Sequence, residues 1–254
     1  MIVPFVSFFE MHKEIRENLI DDFKQVLDSN WFIGGEENKK FEQSFADYQK
    51  RRYCIGCGNG LDAIMLSLKA LGITKGDEVI IPSNTFIATA LAVSYTGAIP
   101  VFVEPRIDTY NINPELIEEK ITEKTKAIVV VHLYGQPAEM DSICEIAERY
   151  LNEIKKSEIL LPKVIENVEP VWHIFAVRCK DRDKLELFLN EQGIGTNKHY
   201  PIPLHLQKAY EKLNISKGTY PIAEEISETE LSIPMYYGMS NDEIRYVIDA
   251  LNQF

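Results

Sequence analysis

No apolar run in this sequence approaches the roughly 20 residues that a bilayer crossing needs. The opening stretch from Met1 to Glu10 also lacks the basic-then-apolar order of a secretion signal. A cytoplasmic chain with no membrane partner is the expectation. Basic residues are in deficit: 27 Lys and Arg stand against 39 Asp and Glu, giving a formal charge of −12. Such a field repels a polyanion, which excludes nucleic acid as a partner while leaving room for a local phosphate pocket. Cysteine is scarce, with four in unrelated contexts: Cys54 and Cys57 beside a glycine-rich turn, Cys144 in a helix pattern and Cys179 at a strand end. They read as reduced thiols and not as a disulfide framework. Cys54-x-x-Cys57 has no second cysteine pair and no nearby histidine, so a metal would be short of ligands there and none is expected.

What is present is ordinary globular material, 45% hydrophobic and 26% charged, enough for a sizeable core. Ile15, Leu19, Phe23 and Val26 recur at helical spacing, as do Phe41, Phe45 and Tyr48. Two amphipathic helices therefore open the chain, joined by the unusually apolar Trp31-Phe32-Ile33-Gly34-Gly35. A short strand is predicted over 52–55, then a glycine turn, then a helix with Leu61, Ile64, Met65, Leu68 and Leu71 on one face, closed by Gly72. Three βα-like units follow: strands over 78–82, 99–103 and 127–131, and helices over 85–96, 114–121 and 139–150. The strands are continuous β-branched runs, the mark of strands buried on both faces of a mostly parallel sheet wrapped by helices.

After Tyr150 the rhythm changes. Residues 151–170 are polar and bounded by proline, 171–177 reads as a strand, and 182–192 as a helix ended by Gly193. Ser240 with Glu243 forms a capping box for the last helix, whose Ile244, Val247, Ile248 and Leu251 face inward. Two units are predicted, 1–150 and 151–254, the second a linker followed by a smaller α/β module.

Several groups have the make-up of a ligand site. Gly56-Cys57-Gly58-Asn59-Gly60 lies between a predicted strand and helix, where free N–H groups and the helix dipole attract an anion. A tight turn needing positive φ explains the same residues equally well. A dinucleotide fingerprint explains them poorly, because Leu61 stands where the third glycine belongs and no acidic residue ends the next strand. That weakens a nicotinamide-dependent oxidoreductase, which has only the parallel pattern in its favour. Phe86, His132 and Gln136 follow predicted strands at the carboxyl edge, where α/β sheets bind ligands. His199-Tyr200-Pro201-Ile202-Pro203-Leu204-His205 gathers two imidazoles, a phenol and two prolines into one loop, either a site or a stiff connector.

Taken in order, Trp31 to Gly35, Cys57 to Ala63, Pro82 to Ala90 and 132–136 resemble the N-terminal half of the pyridoxal-phosphate-dependent nucleotide-sugar aminotransferases, the DegT/DnrJ/EryC1/StrS type. Trp172 to Phe175 and Gly195 to Pro201 resemble their C-terminal domain. The resemblance implies the aspartate-aminotransferase fold, PLP fold type I, as a homodimer with active sites at the subunit boundary. It implies that Gly58, Asn59 and Gly60 hold the cofactor phosphate, that Phe86 stacks on the pyridine ring and that Gln136 lies near it. Trp31, Phe32, Gly34, His199 and Tyr200 would line the sugar-nucleotide pocket. The activity implied is transfer of an amino group from glutamate to a keto-sugar carried on a nucleotide.

One stretch of that resemblance is missing. In the family, the helix corresponding to 141–150 leads to a strand bearing the aspartate that partners the pyridine nitrogen, and later to the lysine that forms the Schiff base. Here Tyr150 runs directly into Leu151-Asn152-Glu153-Ile154, which resembles a helix from just before the C-terminal domain. No lysine stands in an equivalent setting: Lys155, Lys156 and Lys163 lie in the polar linker and Lys198 beside His199. The expectation is therefore a centrally shortened sheet, poorly soluble or with few strands, no catalytic residue of its own and little or no transaminase activity. The alternative is a non-catalytic binding or assembly partner of a full-length aminotransferase.

Overall fold

The computed structural model describes residues 1–134, 140–164, 170 and 172–254, with the side chains of 140–145 outside that description. The chain opens with α1 (Phe9–Ser29), α2 (Glu36–Tyr48) and α3 (Gly60–Ala70). The first sheet follows, with β1 (Glu78–Pro82), α4 (Ile87–Tyr95), β2 (Ile99–Val103) and β3 (Thr125–Ile128). Its order is β2-β1-β3, all parallel, with Glu78 opposite both Ile99 and Thr125. β1 is central because Val79, Ile80 and Ile81 are apolar on both faces and can be covered on both. α4 lies against it through Ala90 and Val93, small buried side chains that let helix and sheet approach closely.

A second set of elements, built around another sheet, comprises α5 (Met140–Glu153), β4 (Ile159–Leu160), β5 (Phe175–Cys179), α6 (Arg182–Glu191), α7 (Pro221–Thr229), β6 (Glu230–Ile233) and α8 (Asn241–Gln253). Its sheet runs β4-β5-β6 and is antiparallel throughout. Its core joins Tyr150, Phe175, Leu185, Leu189, Leu231 and Val247. The Tyr150 hydroxyl donates to the Pro234 carbonyl at 2.7 Å, so the buried phenol is satisfied. Ser240 and Glu243 form the expected reciprocal cap on α8. Val3 joins this core from the start of the chain: its N–H donates to the Gly193 carbonyl and its carbonyl accepts from Gly195 N–H, at 2.9 and 2.8 Å. A side chain at Gly195 would meet the backbone of Phe5 at 2.6 Å, so only glycine lets this tail pass.

Three expectations need correcting. Residues 52–55 form no strand, and Tyr53 and Ile55 are 71% and 84% exposed. An extended segment becomes a strand only beside a neighbour that takes its N–H and C=O groups, and among the described residues no strand pairs with these. The helix expected over 114–121 breaks into two 3-10 turns, Pro114–Leu116 and Glu118–Lys120. Asn113 does cap the first, accepting from Glu115 N–H at 3.1 Å. Glu115, Glu118 and Glu119 then sit at repelling i, i+3 and i+4 spacings. β5 begins at Phe175, later than the expected 171, and Val171 lies outside the described residues.

The amphipathic character of α1 and α2 is real but unused. Leu19, Phe23 and Leu27 on α1 and Phe41, Phe45 and Tyr48 on α2 are all exposed. Among the described residues β3 pairs with β1 alone, and Ile128 at its end and Val130 beyond it, read as part of a strand over 127–131 buried on both faces, are exposed as well.

Candidate ligand site

Asn59 takes an extended backbone (φ −169°, ψ 176°), and its Oδ1 accepts the N–H of Asp62 at 2.9 Å, which starts α3. Its Nδ2 donates to Asp62 Oδ2 at 3.0 Å. A side chain at Gly58 would press on that same carboxylate at 2.7 Å, whereas the space in front of Gly60 is open. The turn thus offers backbone N–H groups to an anion from the Gly60 side, with the Asp62 charge set against it at the Gly58 side.

Phe86 follows β1 and precedes the first turn of α4, with 53% of its surface exposed. Tyr200 comes from the other unit, yet its ring centroid lies 5.2 Å from that of Phe86. Leu204 makes this meeting possible: it is fully buried in the first core, and its N–H donates to the Ser83 carbonyl at 3.3 Å. The proline-rich loop is therefore pulled back over the carboxyl end of β1. Nearby, Glu104 accepts the first N–H groups of α7, Ile222 and Ala223, at 3.1 and 3.0 Å, another bridge between the units.

His199 is held at every polar group. Its N–H donates to Glu230 Oε2 at 2.7 Å, its carbonyl accepts from the Tyr134 hydroxyl, Nδ1 lies 2.8 Å from Ser232 Oγ, and Nε2 lies 3.3 Å from Asn197 Nδ2. Ser232 in turn donates to Glu230 Oε1 at 2.5 Å. Glu230 is 1% exposed. Burial pushes its carboxyl up to about 7, against the pull of the hydrogen bonds from Ser232 and His199 and of the charges of Arg182 and Lys198. Burial also lowers the His199 imidazole, with the neighbouring His173 adding to it.

The structure gathers Phe86, His199 and Tyr200, and it leaves the Trp31 loop elsewhere. Trp31, Phe32, Gly34 and Gly35 line a cavity of about 190 Å³ with Gln25 and Val26 of α1 and Glu36 of α2. None of its lining residues comes from 58–60, Phe86 or the His199 loop. Trp31 Nε1 is occupied by the Ile33 carbonyl at 2.7 Å, and the Lys39 ammonium stands 5.7 Å over its ring. His132 is exposed, and Gln136 lies outside the described residues. Glu230, Ser232, Asn197 and Tyr134 escaped the sequence reading. On β6 the alternation Glu230-Leu231-Ser232-Ile233 looks like a strand with one wet face, yet all four residues are buried.

A pyridoxal phosphate would find an open N–H turn at Gly60 and an aromatic face at Phe86. The lysine beside the His199–Tyr200 loop is not free to attach it. Lys198 Nζ is fixed to Glu186 at 2.6 Å and Asp183 at 3.2 Å. Those contacts, first the hydrogen bond it donates to Glu186, raise its pKa and keep it charged, the opposite of what a Schiff-base nucleophile requires. The residues fit the cofactor's phosphate and ring face but not its point of attachment.

The profile of the "DegT/DnrJ/EryC1/StrS aminotransferase family" matches residues 13–155 and 144–252, two segments that overlap along α5. The chain is 33% identical to dTDP-3-amino-3,6-dideoxy-alpha-D-galactopyranose transaminase of Aneurinibacillus thermoaerophilus, over 100% of this chain and 99% of that one. It is 41% identical to UDP-N-acetyl-3-dehydro-alpha-D-glucosamine 3-aminotranferase of Acidithiobacillus ferrooxidans, over 99% and 97%. The first alignment spans 363 positions while this chain has 254 residues, so more than a hundred positions of that relative face no residue here. Among solved structures, S. venezuelae DesV in complex with a ketimine intermediate superposes with a TM-score of 0.94 at 28% identity, covering 99% of this chain and 98% of that one. Sugar aminotransferases of this fold have been solved in PLP and PMP forms, and pyridoxal phosphate is the cofactor of the group. On these matches the chain belongs to the DegT/DnrJ/EryC1/StrS aminotransferase family.

Proposed function

We propose that this chain keeps the ligand-holding parts of a nucleotide-sugar aminotransferase and has lost the amine chemistry. The observation that carries this reading is Lys198. It is the lysine beside the His199–Tyr200 loop, and two carboxylates hold it charged. The overlap of the two family segments at 144–155 supports a shortening within α5. Gly58, Asn59 and Gly60 would receive the phosphate, with Phe86 as platform for a ring. His199 and Tyr200 would face a sugar nucleotide, and Trp31, Phe32 and Gly34 would act across a homodimer, since their own subunit keeps them apart from Phe86. Gln136 belongs to the same proposal.

The ring chemistry that pyridoxal phosphate supplies when covalently held, an electron sink for amino transfer, has no anchoring residue here. The test is incubation of the purified chain with pyridoxal phosphate, followed by borohydride reduction and intact mass. The expected result is no aldimine absorbance and no added mass. A reduced adduct on any lysine, together with amino transfer from glutamate, would reverse the reading.

A second reading, a non-catalytic assembly partner, is favoured by the uncovered faces of α1 and α2. Co-expression with a full-length relative tests it: a mixed complex on size-exclusion chromatography supports it, and strict separation of the two chains removes it.

A further inference from the structure

His199 is more tightly specified than a connector residue needs to be. Its backbone N–H and C=O are both occupied, by Glu230 and Tyr134. The loop before it is bridged to β6 by two backbone hydrogen bonds, Asn197 N–H to the Ser232 carbonyl at 3.1 Å and Ser232 N–H to the Asn197 carbonyl at 2.8 Å. The imidazole lies between the rings of Phe5 and Tyr200, at 5.7 and 5.4 Å. What remains to be assigned is the ring proton.

The neighbours assign it. Asn197 Oδ1 already accepts the Lys198 N–H at 2.9 Å, so its Nδ2 is the end that faces His199 Nε2, and an amide nitrogen can only donate. His199 Nε2 must then carry the lone pair. On the other side, the Ser232 hydroxyl gives its one proton to Glu230 Oε1 and is left as an acceptor toward Nδ1. Both sides lead to one tautomer. In that tautomer, protons point in one direction from Nδ1–H through Ser232 to Glu230.

We propose that Ser232 and Glu230 are positioning residues that hold His199 in its Nδ1–H tautomer, so that Nε2 carries the lone pair, taken in this structure by the Asn197 amide. A sugar-ring hydroxyl that displaced Asn197 Nδ2 would find an acceptor there. That last use rests on the proposed ligand site, but the tautomer does not, and its test is independent of any cofactor.

The experiment is 15N-detected imidazole NMR on the full chain at pH 8.5, where Glu230 is ionised, with the His199 signals identified by their loss in His199→Gln. The expected pattern is a pyrrole-type shift at Nδ1 and a pyridine-type shift at Nε2. Ser232→Ala should move the ring toward the Nε2–H form that free imidazole favours, and Ser232→Thr should restore the original pattern. An Nε2–H majority in the unaltered chain overturns the proposal, a measurement that needs no variant to fold. So does a folded Ser232→Ala chain whose shifts are unchanged.

Discussion

Phe86 and Tyr200 stand with ring centroids 5.2 Å apart and planes inclined at 41°, though one follows β1 and the other belongs to the loop ahead of β6. The contact forms because Leu204 anchors that loop in the first core. Two rings from different units thus make one half-exposed apolar wall.

Replacing Phe86 with alanine should hardly change stability, within about 0.5 kcal/mol, because the ring is half exposed and touches little else. Loss of an aromatic stacking contact of about 0.5–1.5 kcal/mol should weaken non-covalent pyridoxal phosphate binding by roughly 3- to 10-fold. Calorimetric titration beside urea unfolding separates the two effects. Unchanged affinity would remove Phe86 from the site.

Glu224 should matter far more to stability. Its carboxylate accepts Gly218 N–H at 2.8 Å and Tyr220 N–H at 3.4 Å, and it lies 2.9 Å from Nε2 of the buried His205. Burial raises its pKa, but these hydrogen bonds outweigh burial and leave it below the usual carboxylate value. Glu224→Ala strands three polar groups and should cost about 2–4 kcal/mol by urea unfolding. A loss under 1 kcal/mol would show that the network contributes little to the fold.

Glu230 carries the opposite pH signature. Its folded value near 7 lies above that of an unfolded glutamate, so the native state holds a proton that the unfolded chain releases as pH rises. Stability should therefore fall between about pH 4.5 and 7 and level off above. Glu230→Gln should remove most of this slope, worth roughly 2–3 kcal/mol across the window. Arg182 and Lys198 are the cations whose charges act on the carboxyl, and Arg182→Gln should deepen the fall and carry it to higher pH. Urea midpoints at half-unit pH steps provide the check, and parallel curves for the unaltered and Glu230→Gln chains would refute the assignment.

The uncovered faces of α1 and α2 predict concentration-dependent self-association. Leu19→Asp with Phe23→Asp should shift the chain toward monomer in multi-angle light scattering without altering its circular dichroism, since both side chains are already exposed. Persistence of the same oligomer would place the contact elsewhere.

Much of this architecture is legible in the residues themselves. The run Val79-Ile80-Ile81 announces a buried parallel strand, whereas Ile128-Val129-Val130-Val131, read the same way, has Ile128 and Val130 exposed; Gly193 and Ser240 mark a helix end and a helix start where the structure has them. Residues 52–55 fail because their β pattern is local while strand formation is not: pairing depends on a partner, and the sequence around Tyr53 cannot report that no neighbour flanks it. The polar support of His199 stays hidden for a different reason. Glu230 and Ser232 follow the period-two pattern of a solvated strand face, and only the return of the loop at residues 197–200 turns that face into an interior. His205 and Glu224, separated along the chain, pair in the same unannounced way.

The clasp of Val3 between Gly193 and Gly195 has a practical corollary. Val3 is the anchored residue of that tail, while Met1 and Ile2 ahead of it are exposed. Trimming Met1 and Ile2 should leave the clasp seated, whereas removing Val3 as well would open a gap in the core beside the closing turn of α6.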